Sequence, residues 1–246
     1  MRYAIEIAYK GTHYHGWQSQ PNAITVQESI ENALQKMMRT RLEIVGSGRT
    51  DTGVHAEQQF AHFDTDIEID RSQWLYHINK ILPHDIVIKN ITPVNVQWHA
   101  RYDALWRSYE YRISRSKNPF LEGLVYDDSR FYDEILMQEA AQMLLQYEDF
   151  QSFSKVNTDV QHFKCQLKQA TWHYSPHLWV FEITANRFLR GMVRAIVGTL
   201  LEVGKGKMNI KTLETAILQK DRRLVGAAAP PQGLFLSKVI YPDFPK

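Results

Sequence analysis

Apolar and polar residues alternate along residues 2–9, with Tyr3, Ile5, Ile7 and Tyr9 on one side and Arg2, Ala4, Glu6 and Ala8 on the other. Side chains of a strand repeat every two residues, so this stretch predicts a half-buried strand. Residues 10–21 mix Gly11, His13, Tyr14, His15, Gly16 and Trp17 in a loop. Its aromatics could stack on bases, with packing over a core edge the favoured use of Trp17. The period then changes. Thr25 and Glu28 have the spacing of a capping box, and Val26, Ile30, Ala33, Leu34 and Met37 recur at helical spacing, predicting a helix with that stripe on a core. Residues 42–45 and 58–64 predict two strands, so the glycine-bearing stretch between them should hang at one sheet's edge. A helix over 74–82 is stopped by Pro83, and 86–91 predicts another strand.

The second half repeats the mixture. In 108–113, Tyr109, Tyr111 and Ile113 share one face of a strand and Ser108, Glu110 and Arg112 the other, so core packing claims at least one tyrosine. Residues 133–147 carry Ile135, Leu136, Ala140, Met143 and Leu144 at helical spacing, and 148–169 reads as irregular. Trp179, Phe181, Ile183 and Ala185 alternate as a strand that runs into a predicted helix over 188–203. Extended through residue 187, that helix would hold Arg187, Arg190 and Arg194 within an arc of roughly 60° at about 100° per residue. Gly191 and Gly198 fall beside the arc, and Phe188, Met192, Val193, Ile196 and Leu200 lie opposite. Arginines along a smooth glycine strip suit a polyanion that approaches closely, a solvated charged face being the plainer alternative. Residues 234–241 predict a last strand. Strands and helices alternate irregularly with no low-complexity linker, which predicts an α+β fold with a shared antiparallel sheet and halves dividing at 102/103.

Composition narrows the classes. The 246 residues are 44% hydrophobic, with 12 Tyr, 11 Phe and 6 Trp, as in a folded globular protein. The formal charge is only +2, yet nine Lys or Arg stand against three acids between Arg187 and Arg223, so a basic region is concealed in the total. The single cysteine, Cys165, excludes an intrachain disulfide and a cysteine zinc site. The N-terminus lacks the apolar run of a signal peptide, and Arg190 and Arg194 interrupt the longest greasy stretch, so a soluble cytoplasmic protein is expected.

The stretch 46–56, Gly-Ser-Gly-Arg-Thr-Asp-Thr-Gly-Val-His-Ala, carries three glycines in eight positions together with Arg49 and Asp51. It reads as an active-site loop, or else as a tight turn with solvated charges. No Gly-Lys-Ser/Thr follows, which excludes a phosphate-binding loop. No pair of histidines has zinc-protease spacing, and no Gly-x-Ser-x-Gly elbow occurs. What remains is a lone aspartate with arginines to orient it and tyrosines to hold a planar ligand. That set suits carboxylate catalysis at a sugar-like carbon or acid–base work on a flipped base.

At this point the blocks of the chain carry a resemblance. Residues 48–56 resemble the catalytic signature of the TruA family of tRNA pseudouridine synthases. Tyr9-Lys10-Gly11-Thr12, Gly16-Trp17-Gln18 and Thr25-Val26-Gln27 match the family's opening. His99-Ala100-Arg101, Tyr109-Glu110-Tyr111, residues 188–194 and residues 229–234 follow in the family's order, so the likeness spans the chain. It implies a pseudouridine synthase fold of two RRM/ferredoxin-like halves sharing a central antiparallel sheet, with the active-site cleft between them. It also implies isomerisation of uridine at positions 38, 39 and 40 in the anticodon stem-loop of tRNA, without metal or organic cofactor, by a homodimer. Asp51 would be the catalytic carboxylate, Tyr109 would stack on the target base, Arg49 would enter the RNA stack, and Arg194 would pair with Asp51. Arg187, Arg190, Lys205 and Lys207 would track phosphate. The sequence departs from the family at Thr52, where alanine is usual, and at Leu105 and Trp106, where polar or basic residues are common. Two alternatives stand beside this reading: an inactive RNA-binding module of the same fold, and a glycosidase, which needs a second carboxylate.

Overall fold

The computed structural model describes residues 1–155, 161–242 and 244. In chain order its elements are β1 (Arg2–Tyr9), α1 (Val26–Met38), β2 (Val45–Gly46), β3 (His55–Asp64), α2 (Arg71–Ile81) and β4 (Ile86–Val94). There follow β5 (Trp106–Ser114), β6 (Tyr126–Asp127), α3 (Glu134–Met143), β7 (Leu167–Tyr174), β8 (Leu178–Ala185), α4 (Met192–Gly204), α5 (Ile210–Leu218) and β9 (Leu234–Ile240). The fold is α+β with mostly antiparallel strands. Two compact units divide it: Met1–Trp106 with Phe235–Lys246, and Arg107–Leu234. Against a split at 102/103, the first unit runs four residues further and takes back the last strand.

In the first unit β1 lies antiparallel to both β3 and β4, and β2 antiparallel to β3, giving the order β4-β1-β3-β2. Tyr3, Ile5, Ile7 and Tyr9 are all buried, as their alternation predicts. Thr25 caps α1 by accepting from Glu28 N at 3.3 Å, and Val26, Ile30, Ala33 and Leu34 face the core, while Met37 in the last turn is half-buried. β2 is shorter than the predicted 42–45 for a local reason. Side chains of α1 take Ile44's backbone groups: Gln27 Nε2 donates to Ile44 O at 3.1 Å, and Ile44 N donates to Glu31 Oε1 at 3.1 Å. β3 starts at His55, three residues early, because β9 pairs with it in parallel at His55–Phe235 and Ala56–Leu236. The loop does hang between two strands, but β3 is flanked by β1 and β9, so it is not an edge. Asp70 begins α2 by accepting from Ser72 N and Gln73 N.

In the second unit β8 is antiparallel to β5 and β7, giving the order β5-β8-β7, and β6 runs parallel to β5. β7 starts inside the stretch expected to be irregular; residues 156–160 of that stretch lie outside the described residues. α3 ends in a 3₁₀ turn at Leu144–Gln146. The helix predicted over 188–203 begins only at Met192. Gly191 sits at its N-cap with φ +71°, a left-handed conformation that ends helical winding, so Arg187 and Arg190 precede the helix instead of sharing a face with Arg194. α4 is buried all round except at Arg194 and Glu202, the mark of a central helix. Among the described residues no helix is long and apolar enough to cross a membrane.

One buried histidine links the first unit's fold to pH. His62 on β3 accepts Ala100 N–H at Nδ1 (3.2 Å) and lies edge-on to Trp98 and His99. Desolvation, with Arg2 nearby, lowers its pKa to about 4. An unfolded chain takes up this proton near pH 6.5 while the folded one refuses it. The associated stability is therefore complete above pH 6.5 and is lost as pH falls toward 4. His62→Asn, which keeps an acceptor for Ala100, should flatten the pH dependence of unfolding free energy between pH 6.5 and 4 by up to about 1.4 kcal/mol per pH unit. Urea titrations across that range measure it.

Candidate active site

The stretch joining β2 to β3 is held by groups that lie outside it. Ser47 N donates to Phe60 O at 2.7 Å, and Gln59 Nε2 donates to Gly48 O at 3.0 Å. Thr50 Oγ1 meets Tyr9 OH at 2.8 Å in a buried contact, and Trp17 N donates to Thr50 O at 3.3 Å. Gly53 N reaches Tyr14 O (3.3 Å), and Val54 N closes the turn on Asp51 O (3.2 Å). Gly11 lies so close that a Cβ there would stand 2.0 Å from Val54 O, while its N–H donates to His55 Nδ1 at 3.0 Å. His55 is fully buried and stacks on Phe235 at 4.6 Å. Residues 9–17 thus form a collar around the loop, and Trp17 belongs to the core, as favoured from the sequence. Held on this backbone, Asp51 is half-buried and Arg49 exposed. A carboxylate on a loop tied at so many points loses little freedom when a ligand arrives, which suits it to act on a bound atom.

The second unit builds a different set. Tyr109 stands on β5 opposite Ile183 of β8, half-buried, with Phe188 edge-on to its ring at 5.1 Å and 89°. Tyr111, two residues on, is fully buried and is the tyrosine that packing claims. Burial lifts its phenol well above the usual range, keeping it a donor to Pro230 O at 2.8 Å. The segment that contains Pro230 also holds Arg194. Ala229 N donates to Arg194 O at 2.9 Å, and Arg194 Nε donates back to Ala229 O at 2.7 Å. Gly198 permits this packing, since a Cβ there would fall 1.8 Å from Ala227 O. Of the two glycines expected beside a polyanion, Gly198 is therefore covered by the chain's own residue 227, and Gly191 caps the helix instead.

The basic residues do not form one row. Arg187 contacts His162 through Nη1 (3.1 and 3.3 Å), and exposed Arg190 precedes α4. Lys205 and Lys207 lie beyond the helix's other end, about 20 Å away along its axis, and both face Glu202, at 2.7 and 3.9 Å. Arg222 donates to Gly226 O at 3.1 Å, and Arg223 pairs with Asp221 at 2.7 Å, so both have structural partners. Among the described residues no cluster of His, Cys, Asp or Glu could hold a metal ion. Sequence reasoning overlooked Tyr9, Thr50 and Gln59 as supports of the loop. The one signal for Gln59 was a polar residue beside the apolar run of β3.

Comparison with known proteins places the chain. A sequence profile described as tRNA pseudouridine synthase matches residues 5–103 and 140–242, which include Asp51 and Arg194 and leave Tyr109 between them. The chain is 46% identical over 246 residues to a tRNA pseudouridine synthase A of Porphyromonas gingivalis, with 98% of each chain covered. It is 47% identical over 243 residues to that of Parabacteroides distasonis, covering 98% of this chain and 96% of the relative. With the tRNA pseudouridine synthase A of a Geobacillus species the identity is 39% over 243 residues, at 98% of both chains. The chain belongs to the tRNA pseudouridine synthase family.

The close approach at Gly198 gives a direct test of the second unit. Gly198→Ala should displace residues 227–229 and cost about 2 kcal/mol, a Tm lower by roughly 4–8 °C. Calorimetry of the variant reads this directly; an unchanged Tm would mean that the segment is not seated on α4.

Proposed function

We propose that this protein isomerises uridine to pseudouridine in tRNA, at positions 38, 39 and 40 of the anticodon stem-loop, with Asp51 as the essential carboxylate. The observation that carries the reading is the tethered loop 46–56, which presents a half-buried Asp51 in a chain of this family. In the reaction the N1–C1′ bond breaks, the uracil turns, and C5 joins C1′. The proton on C5 is lost and N1, which carries none in uridine, takes one up, so atoms balance without an oxidant or cofactor. Asp51 acts either at C1′, at C6, or through a glycal formed by loss of the C2′ proton.

Extruding a stacked base costs a few kcal/mol, which stacking partners must offset. Tyr109 is the proposed partner of the flipped base, supported by its place on β5 and its half-buried ring. Arg49, exposed on the tethered loop, is proposed to fill the gap in the RNA stack, and Arg194 to serve as counter-ion to Asp51. Arg187 and Arg190 are proposed phosphate contacts. Lys205 and Lys207 have the same proposed role, and reaching phosphate would mean exchanging Glu202 for it. The family likeness further supports a cytoplasmic homodimer. The order β4-β1-β3-β2 with α1 and α2 between strands favours a ferredoxin-like first half.

Release of tritium from tRNA labelled at C5 of uridine tests the reading, since an inactive RNA-binding module or a glycosidase releases none. Asp51→Asn should lower release by roughly 10³ or more, and Tyr109→Ala should lose turnover while tRNA still binds. Wild-type turnover in Asp51→Asn would remove the aspartate from the chemistry. Filter binding at rising salt should show tRNA affinity falling linearly on a log–log plot, the signature of released counterions.

A further inference from the structure

β2 and β3 form a regular ladder only at Val45–His62 and Gly46–Ala61, and Ser47 N to Phe60 O is one rung beyond it. There the chain must leave the sheet to make the loop, and pairing continues through a side chain. Gln59 is fully buried on β3. Its Nε2 donates to Gly48 O at 3.0 Å, and its Oε1 accepts from Ser47 Oγ. A primary amide carries the same donor and acceptor as a peptide group, so Gln59 supplies one further rung while the backbone peels away. On the far side of Arg49, Tyr9 OH and Trp17 N fix Thr50.

Fixing from outside is required at this point. Gly48 has open space where a Cβ would stand and its φ is not positive, so neither contact nor backbone strain sets its conformation. Glycine leaves the peptide pliable, and the Gln59 amide removes that freedom.

We propose that Gln59 is a positioning residue for the isomerisation, its side-chain amide fixing the Ser47-Gly48 backbone from which Arg49 and Asp51 project. This rests on the reading of Asp51 and Arg49 given above. Being fully buried, Gln59 meets no substrate atom and acts through the loop. Its loss therefore slows the chemical step far more than it weakens tRNA binding, since the proposed phosphate contacts Arg187, Arg190, Lys205 and Lys207 lie elsewhere and only Arg49 shares the loop.

Gln59→Met conserves length and approximate volume while removing both hydrogen bonds. Single-turnover tritium release with enzyme in excess gives the rate of the chemical step, and filter binding gives Kd for tRNA. The expected result is a fall of about tenfold to a hundredfold in rate with Kd within about twofold, in protein that still unfolds cooperatively. A folded Gln59→Met with wild-type rate, or a defect carried wholly by Kd, overturns the proposal. Ser47→Ala, which removes only the hydroxyl bonded to Oε1, decides the matter if Gln59→Met fails to fold: a smaller loss in rate at unchanged Kd supports the role, and wild-type rate rejects it. Absence of release by the wild-type protein would sink the functional reading itself, whereas equal release by wild type and Gln59→Met sinks only the positioning role.

Discussion

The peptide at Thr50 is the point on which the first unit's site depends. Its carbonyl accepts from Trp17, its hydroxyl meets Tyr9, and Asp51 follows directly. Both partners come from the first seventeen residues, and both are buried in the same core as β1 and α1. Apolar packing thus reaches the carboxylate through two hydrogen bonds, one to the backbone and one to a side chain. A buried hydrogen bond contributes roughly 1 kcal/mol net to stability, but leaving either partner unpaired costs more, so the collar and the loop hold their places together.

The second unit reaches a similar end by other means. Its arginine is held by reciprocal bonds with Ala229, seated where Gly198 lets two backbones approach. α4 is apolar nearly all round because it is the core of its unit, which leaves Arg194 and Glu202 as its half-exposed residues. The charge of Arg194 therefore stands on the most deeply packed helix of the unit, fixed along the chain by packing and in direction by a carbonyl.

Elements with a clean period were legible from sequence: β1, α1, β5 and β8 stand where their alternation or helical spacing predicts. The failures have local causes. A bulge between Leu167 and Gln169 shifts the phase of β7, so its alternation breaks where a reader would look for it. Ile44 loses its place in a strand because Gln27 and Glu31 bond its backbone. Arg187 and Arg190 share a helical arc on paper, and one left-handed glycine removes them from the helix. The candidate site was legible as residues, through the loop and the likeness it carries. Its supports were not, because Gln59, Tyr9 and Thr50 act by hydrogen bonds between segments that sequence spacing does not relate.

The parallel pairing of β9 with His55 and Ala56 joins residues some 180 positions apart. During synthesis the segment from Phe235 onward leaves the ribosome some 180 residues after His55. Until then His55 and Ala56 lack a strand neighbour on that side, and His55 lacks the ring it stacks on. Contacts this distant in sequence close slowly. The loop bearing Asp51 enters β3 at those two residues, so its final anchoring waits for that late segment. A chain stalled or clipped before its last strand would retain every residue of the loop and lack its finished footing.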